Sequence, residues 1–238
     1  ASLLENLLTE KGLDPGTIAA LKFNLALSMR ARGQYEQALE TLRAIDEHSR
    51  NIPYFHFEVG SLLFQLSKYE DALKQFDKAL ERRPGDARIL ASLALTAGYL
   101  DQPSQARDFA QKAISADGPN GLARVAIARA ELAEGHIKRG CDIVRNALMD
   151  RSIVMDDPAI SAITDIASFL DKRGEYKAAF SVIEAQNARK RADADASSFT
   201  RAIDDTERLR QYFEGSSRWN SSAPSHKTPI SPSGHVFV

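Results

Sequence analysis

The chain has 238 residues, of which 43% are hydrophobic, and its 31 Lys and Arg nearly balance its 32 Asp and Glu, giving a net charge of −1. This balance gives no electrostatic reason to expect a nucleic-acid partner, and the single cysteine excludes an internal disulfide framework and any metal site built from several cysteines. No apolar run reaches the length of about 18 residues that a membrane span requires, and the N-terminus lacks the basic region of a signal peptide, so we predict a cytoplasmic protein without a membrane partner.

Residues 1–18 are predicted to form a partial repeat or an N-terminal cap helix. The apolar residues at the start of this segment fall on one helical face: Leu3, Leu4, Leu7 and Leu8. Gly12 and Pro15 then end the helix.

The stretch from Pro53 to Asp86 has the pattern of two helices that pack closely against each other. Small or apolar residues lie where two such helices meet, and a proline stops the second helix; they are Gly60, Ala72, Phe76, Ala79 and Pro84. Asp86 is the expected N-cap of the next helix, and Pro103 is well placed for the first turn of a later one.

The same pattern recurs every 34 residues, because Ala38, Ala72, Ala106 and Gly140 are all small and follow similar turns. A fifth copy, KRGEYKAA, comes five residues late, and we expect the residues around Asp156–Pro158 to absorb the insertion. The period predicts five helix–turn–helix repeats over residues 19–191. An ordinary helical bundle is the alternative, but it does not explain a fixed period.

In the fifth repeat, over about 160–191, apolar residues of the two helices are predicted to pack against each other. The set is Ile163, Ile166, Ala167 and Leu170 against Tyr176, Ala179, Phe180 and Ile183. Residues 192–215 are then predicted to form a C-terminal capping helix, and residues 216–238, rich in Ser and Pro, to form a flexible tail.

The 34-residue unit resembles the tetratricopeptide repeat (TPR). The resemblance implies an all-α fold, a right-handed superhelix of helix–turn–helix repeats, whose first helices line a concave groove that binds a protein or peptide. The positions that line such a groove are Phe23, Leu27, Arg30, Tyr54, Phe57, Ser61, Phe64, Arg88, Ala91, Leu95, Val125 and Arg129. Phe23 and Leu27 stand where the carboxylate-clamp subset of this family has Lys and Asn, which argues against recognition of a chaperone's C-terminal carboxylate.

From these residues we expect a partner that is partly apolar and partly acidic. Aromatic side chains are common interface anchors, and few acids at the same positions oppose the arginines. Self-association is a further expectation, with the tail that ends at Val238 entering the groove of a neighbouring molecule. The alternative is that the capping and tail segments of the chain itself cover the groove.

The sequence predicts no catalytic residues, no metal site and no cofactor. None of the five histidines has a second ligand at helical spacing. Asp156 and Asp157 indicate helix capping, Asp204 and Asp205 a solvated face, and the basic run 188–191 a helix end. Cys141, beside Gly140, is predicted to be a packed thiol.

The C-terminal part has a second, narrower resemblance. The run RGEYKAAFSVIEAQNARKR, followed by a charged helix and a polar Ser/Pro stretch, resembles the join in bacterial TPR sulfotransferases. There a short strand leads to a loop of the type PRSGT, which holds the phosphosulfate donor. His235–Val238 resembles the start of that strand, but Pro232–Gly234 lacks the loop's Arg. The leading hypothesis is therefore a non-enzymatic adaptor, and the alternative is the N-terminal arm of a sulfotransferase.

Overall fold

The computed structural model describes residues 12–45, 51–52 and 54–193, and in this part of the chain all regular structure is α-helical. Ten helices alternate as first and second members of five helix–turn–helix pairs. The first helices are α1 (Pro15–Ala31), α3 (Phe55–Gln65), α5 (Ala87–Tyr99), α7 (Gly121–Ala133) and α9 (Asp157–Lys172). The second helices are α2 (Tyr35–Arg43), α4 (Tyr69–Arg82), α6 (Pro103–Asp117), α8 (Ile137–Met149) and α10 (Tyr176–Asp193).

The turn inside each pair has the same backbone conformation, with one residue at positive φ. Those residues are Gly33, Ser67, Asp101, Gly135 and Gly174, with φ of 74°, 57°, 57°, 85° and 79°. After each, the next N–H donates to a carbonyl five residues back, for example from Lys68 to Leu63 at 2.9 Å and from His136 to Glu131 at 2.9 Å. This six-to-one bond ends a helix by the Schellman motif, so the chain reverses at each of these residues. The first four are 34 residues apart and the fifth comes five residues late, as the sequence period requires.

The small residues of the 34-residue series are buried at the helix contacts. Ala38, Ala72 and Ala106 are each 0% exposed. A Cβ atom added to Gly140 would lie 2.6 Å from Cγ of Leu132, and one added to Gly60 would lie 2.8 Å from the Phe76 ring. These distances are too short for a real Cβ, so only a small residue allows the two helices of a pair to approach so closely.

Two of the five extra residues precede α9, in the connection over residues 150–156, and the other three lengthen α9 to 16 residues, where α5 and α7 have 13. Arg189 holds this connection by donating to the carbonyl oxygens of Leu148, Asp150 and Ile153 at 3.1, 3.2 and 3.2 Å. The Asp156 carboxylate accepts from the backbone N–H of Ala159 at 3.0 Å and caps α9, so its predicted capping role is confirmed.

Two other helix starts also agree with the sequence. Asp86 caps α5 by accepting from the backbone N–H groups of Arg88 and Ile89, and Pro103 occupies the first turn of α6. Asp14 caps α1 in the same way, and Pro15 begins that helix. The predicted boundary between residues 18 and 19 therefore falls inside α1, because a proline suits the first turn of a helix as well as the end of one.

The packing of the fifth pair differs from the prediction at two aromatic residues. Tyr176 and Phe180 are 53% and 68% exposed, whereas Val182 and Gln186 are buried. The Gln186 amide donates to the carbonyl oxygen of Ile160 at 3.1 Å. The buried face of α10 thus runs through Ala179, Val182 and Gln186, and the choice of Tyr176 and Phe180 as core residues was wrong.

Successive pairs pack through the second helix of one pair against the first helix of the next, and also through contacts between consecutive first helices. The second helices α2, α4 and α6 each contact the first helix of the following pair, and among first helices the contact between α5 and α7 is the most extensive. Because consecutive first helices lie side by side, their free faces form one continuous surface. We call this surface, from α1 to α9, the first-helix face.

Residues 1–189 cluster into one compact unit and residues 190–238 into a second, of which the structure describes only the end of α10. The predicted N-terminal helix over residues 2–11, most of the capping helix and the whole tail lie outside the described residues. Within the described ranges, no helix combines the length and the apolar character that crossing a bilayer would require.

Candidate functional site

The first-helix face begins with apolar side chains of α1. Phe23 and Leu27 are half-buried there, and one turn later Arg30 is exposed. The guanidinium Nε of Arg30 lies 3.3 Å from Oε2 of Glu58 on α3, although the two groups are not aligned for a hydrogen bond. The charge of Arg30 is therefore opposed by a carboxylate on the neighbouring first helix.

The next part of the face is an aromatic cluster flanked by arginines. Tyr54 lies between the guanidinium groups of Arg83 and Arg88, which are 4.3 and 4.5 Å from its ring centroid. Its hydroxyl donates to Asp86 at 2.9 Å, and its ring contacts Phe57 edge-on at 6.0 Å. Cation–π contacts and this hydrogen bond hold Tyr54 in place.

Acids outside the groove positions oppose two of the three arginines, so the expectation that these charges are free for a partner is wrong for Arg30 and Arg88. Arg30 faces Glu58, and Nε of Arg88 lies 3.8 Å from Asp86. Asp86 is the N-cap of α5, so its position was fixed by helix geometry rather than by its place in the groove pattern. Both arginines are already partly neutralised before any partner arrives.

Glu58 has a raised pKa because burial disfavours its charged form more than Arg30 and Arg88 favour it. A carboxyl whose folded-state pKa is raised destabilises the fold at any pH above that pKa, and the penalty disappears below the unfolded pKa. We therefore expect Glu58→Gln to raise the thermal midpoint at neutral pH, with the gain vanishing in acid. Melting curves across the acid range check this, and a gain that stays constant with pH would contradict it.

A cavity of about 370 Å³ opens on the first-helix face near the ends of α5, α7 and α9. It combines aromatic, apolar and charged walls: Gly98, Tyr99, Asp101, Arg129, Leu132, Ala133, Phe169 and Arg173. The guanidinium carbon of Arg129 lies 3.7 Å from the Tyr99 ring centroid and 5.9 Å from that of Phe169. The guanidinium carbon of Arg173 lies 5.3 Å from the ring centroid of Phe169. We call this pocket the arginine cavity.

The aromatic side of the arginine cavity continues along the face into the previous pair. The rings of Phe64, Tyr69 and Tyr99 contact one another, with centroids 4.8 to 5.3 Å apart. The Tyr99 hydroxyl donates to Asp165. Burial, followed by this hydrogen bond, raises the pKa of Tyr99, so its phenol stays a neutral donor. Two residues of the predicted groove thus lie close together, since Phe64 is next to the cavity and Arg129 lines it.

Sequence reasoning missed part of the arginine cavity. Tyr99 ends α5, Phe169 lies in the last turn of α9 and Arg173 directly follows that helix, and none of the three is a groove position that the repeat pattern indicates. Conversely, Leu95 is only 4% exposed, and Ala91 and Val125 are buried as well. These three pack between first helices and are corrections to the predicted groove. The sequence did offer one signal for the cavity, the aromatic Tyr99 at the end of α5, just before the turn at Asp101.

Three side chains outside the arginine cavity have the composition of a metal site. Ligand atoms of Glu131, Glu134 and His136 lie within 4.8 Å of one another. However, Arg107 donates to both carboxylates, at 3.0 Å to Glu131 and 2.9 Å to Glu134, and Arg139 lies 3.6 Å from Glu131. Because two arginines already bind these carboxylates, the cluster is an ion-pair network between the third and fourth pairs.

Cys141 is buried, and burial raises the pKa of its thiol. Since the thiolate is the nucleophilic form, this cysteine is poorly suited to covalent chemistry, in agreement with the predicted packed thiol. The residues of the sulfotransferase resemblance beyond Asp193 lie outside the described part of the chain, so that resemblance stays a prediction.

Comparison with known proteins places the repeat in a family. Residues 53–86, the stretch from which the period was read, match the family model described as Tetratricopeptide repeat. No curated protein matches the chain.

Solved structures of repeat proteins share the fold. A tetratricopeptide repeat protein from Parabacteroides merdae is 17% identical, covers 92% of this chain and 85% of its own length, and has a TM-score of 0.60. TTC0263, a thermophilic TPR protein of Thermus thermophilus, is 13% identical, with coverages of 74% and 93% and a TM-score of 0.57. MamA from Desulfovibrio magneticus is 19% identical, with coverages of 74% and 97% and a TM-score of 0.51.

At these identities the likeness concerns the fold, and the predicted fold class, all-α of the tetratricopeptide type, is confirmed. The family match covers one of the five helix pairs, and the other four repeat its turn geometry and its small buried residue. The chain is a helical repeat scaffold of the tetratricopeptide type.

Proposed function

We propose that this scaffold binds a protein or peptide along its first-helix face, and that the bound segment is partly apolar and partly acidic. The observation that carries the proposal is the series of half-buried aromatic side chains with arginines against their rings. It extends from Tyr54 and Phe57 through Phe64 to the arginine cavity. Such side chains give a large contact area with little loss of conformational freedom, which is why they serve as anchors at interfaces.

The two ends of this series differ in charge. Around Tyr54, Asp86 and Glu58 offset the arginines, so this end offers mainly aromatic surface. In the arginine cavity, neither Arg129 nor Arg173 has a carboxylate partner among the described residues. An extended segment that places apolar side chains near Phe57 and an acidic residue near Arg129 therefore fits both ends. We expect micromolar affinity, equivalent to about 8 kcal/mol of binding free energy.

Selection of random peptides displayed on phage against the full chain tests this function. Phe57→Ala removes an aromatic anchor and Arg129→Glu reverses the charge in the cavity, so each is expected to weaken binding of the selected peptides. Lys138→Gln, on the exposed side of α8, is the control for a general charge effect. Circular dichroism establishes that each variant is folded before binding is compared.

Retention of every selected peptide by both folded variants would place the binding surface elsewhere. A second copy of this chain, with its C-terminal tail as the inserted segment, is the other occupant that we propose for the same face. Sedimentation at several protein concentrations separates the two cases, because only self-association makes the apparent mass depend on concentration.

A further inference from the structure

We infer that the arginine cavity binds the side-chain carboxylate of a Glu or Asp within the partner segment, with Arg129 as the main contact and Arg173 as the second. This inference rests on the proposed function, since it names what the partner inserts at one position of the first-helix face. It concerns an internal acidic residue, not the C-terminal carboxylate of a peptide.

Arg129 has hydrogen-bonding capacity that no described residue uses. Its guanidinium stacks on Tyr99 at 3.7 Å, a contact that uses the flat face and leaves the N–H groups at the edge free. The Nε atom is buried and has no hydrogen-bond partner in the described structure. Because the Nε atom is covered by protein atoms, a carboxylate that enters the cavity meets the terminal N–H groups of Arg129, which have no partner among the described residues.

The orientation of Arg129 is fixed from two sides. Tyr99 packs on one side, and Gly98 lies so close that a Cβ at that position would be 3.3 Å from Cδ of Arg129. The side chain thus rests on bare backbone at Gly98 and on the ring at Tyr99. A guanidinium held in this way loses little freedom when it binds, and its planar fork matches the two oxygens of a carboxylate.

The charges around the cavity favour a weakly charged anion over a more strongly charged one. Two cations, Arg129 and Arg173, face Asp101 in the wall and Asp165, whose carboxylate accepts from the Tyr99 hydroxyl. The arginines have no ion-pair partner among the described residues, yet the two acids limit the positive potential. A carboxylate carries one charge, whereas a phosphorylated side chain carries about −1.5 to −2 and would be repelled more strongly by these acids.

The remaining walls accommodate the apolar part of the inserted side chain. Leu132, Ala133 and the Phe169 ring line the cavity, and its volume of about 370 Å³ lies at the small end of the range of about 300–1,000 Å³ for ligand pockets. This is room for an acidic side chain and part of a neighbouring residue. The chemistry of the cavity therefore predicts an acidic residue next to an apolar one.

The test uses the peptides selected as described above, resynthesised with acetylated N-termini and amidated C-termini. We expect that selection enriches an internal Glu or Asp, and that replacing it with Gln or Asn weakens binding about ten- to hundredfold, as expected for losing hydrogen bonds between charged groups. In wild-type chain with ¹⁵N label, the Arg129 Nε–H signal, assigned by its absence in Arg129→Gln, should move downfield when the acidic peptide binds and stay in place with the Gln peptide.

Two variants measure the contributions of the arginines. Arg129→Gln should bind acidic and neutral peptides equally, Arg173→Gln should lose part of the discrimination, and Lys138→Gln should keep all of it. Because Arg173 is exposed, Arg173→Gln is expected to fold. It therefore tests the site even if Arg129→Gln does not fold. Binding is also measured for two further peptides. One has phosphoserine in place of the acidic residue, and the other has a free C-terminal carboxylate.

Each remaining outcome overturns the inference. Equal affinity of wild-type chain for the acidic and neutral peptides removes the carboxylate site but leaves the proposed function intact. Tighter binding of the phosphoserine peptide or of the free C-terminus reassigns the cavity to that group. If no peptide is selected, the proposed function fails and this inference fails with it.

Discussion

Replacing Ala72 with leucine is expected to lower the free energy of unfolding by about 1–3 kcal/mol, the usual cost of adding methylene groups to a packed interior. Ala72 is fully buried where α4 meets the rest of its pair. On the same pair, Gly60 of α3 already leaves no space for a Cβ beside Phe76. The added leucine atoms therefore force the two helices apart or push side chains out of their preferred rotamers.

Thermal and denaturant unfolding of the variant measure this cost. Ala116→Leu is the matched control, since it makes the same change at an exposed position of α6 and should leave stability within about 0.5 kcal/mol. An unchanged midpoint for Ala72→Leu would mean that the close contact lies at another residue of the repeat, and the 34-residue register would then be wrong.

Much of the fold was predictable because the repeat constrains it several times over. Four small residues at one spacing gave the register, and the late fifth copy gave the size of the insertion, of which two residues precede α9 and three lengthen it. The turns were less visible, since Ser67 and Asp101 occupy left-handed positions that glycine usually fills. Their place is clear only once Gly33, Gly135 and Gly174 are aligned with them.

The candidate site was predictable only in part. The aromatic residues and arginines of the first helices stay candidates for the binding surface, whereas the predicted groove residues Ala91, Leu95 and Val125 are buried. What the pattern did not indicate was charge pairing. Asp86 caps a helix and opposes Arg88, and Glu58 reaches Arg30 from the next pair, so both depend on distances between elements rather than on spacing in sequence.

The arginine cavity illustrates the same difficulty. Its walls come from the ends of α5, α7 and α9, separated along the chain by more than seventy residues, from Gly98 to Arg173. The residues inserted before and within α9 also shift Phe169 and Arg173 out of the 34-residue frame, so a pattern with a fixed period does not align them with Tyr99. Residues that meet because of an irregularity in a repeat are those that periodicity is least able to predict.

The second large effect concerns the ion-pair network between the third and fourth pairs. Removing the charge of Arg107 with Arg107→Met is expected to cost about 1–3 kcal/mol, because it leaves the buried carboxylate of Glu131 without its best hydrogen-bond donor. His136 and Arg139 remain at 3.1 and 3.6 Å from Oε2 of Glu131, but neither replaces the paired donors of Arg107 on Oε1. The exposed Arg139→Met is the control and should change stability by less than about 1 kcal/mol.

A double variant separates a buried charge from a lost contact. If the cost arises from the stranded carboxylate, Arg107→Met combined with Glu131→Met should recover most of the stability, since two apolar residues leave no unpaired charge. Additive losses in the double variant would instead show that the side chains contribute through packing alone. Denaturant unfolding of the four proteins in this cycle gives the interaction free energy directly.

The network also predicts how the difference in stability between wild type and Arg107→Met changes with pH. Hydrogen bonds from Arg107 hold the pKa of Glu134 below its ordinary value. A carboxyl with a lowered folded-state pKa stabilises the fold at pH above its unfolded pKa, and this contribution is lost as the pH falls through the folded one. Wild type loses it in acid, whereas Arg107→Met has already lost it at neutral pH. The stability curves of the two proteins should therefore converge at low pH, and curves that stay parallel would mean that Arg107 does not stabilise the ionised form of Glu134.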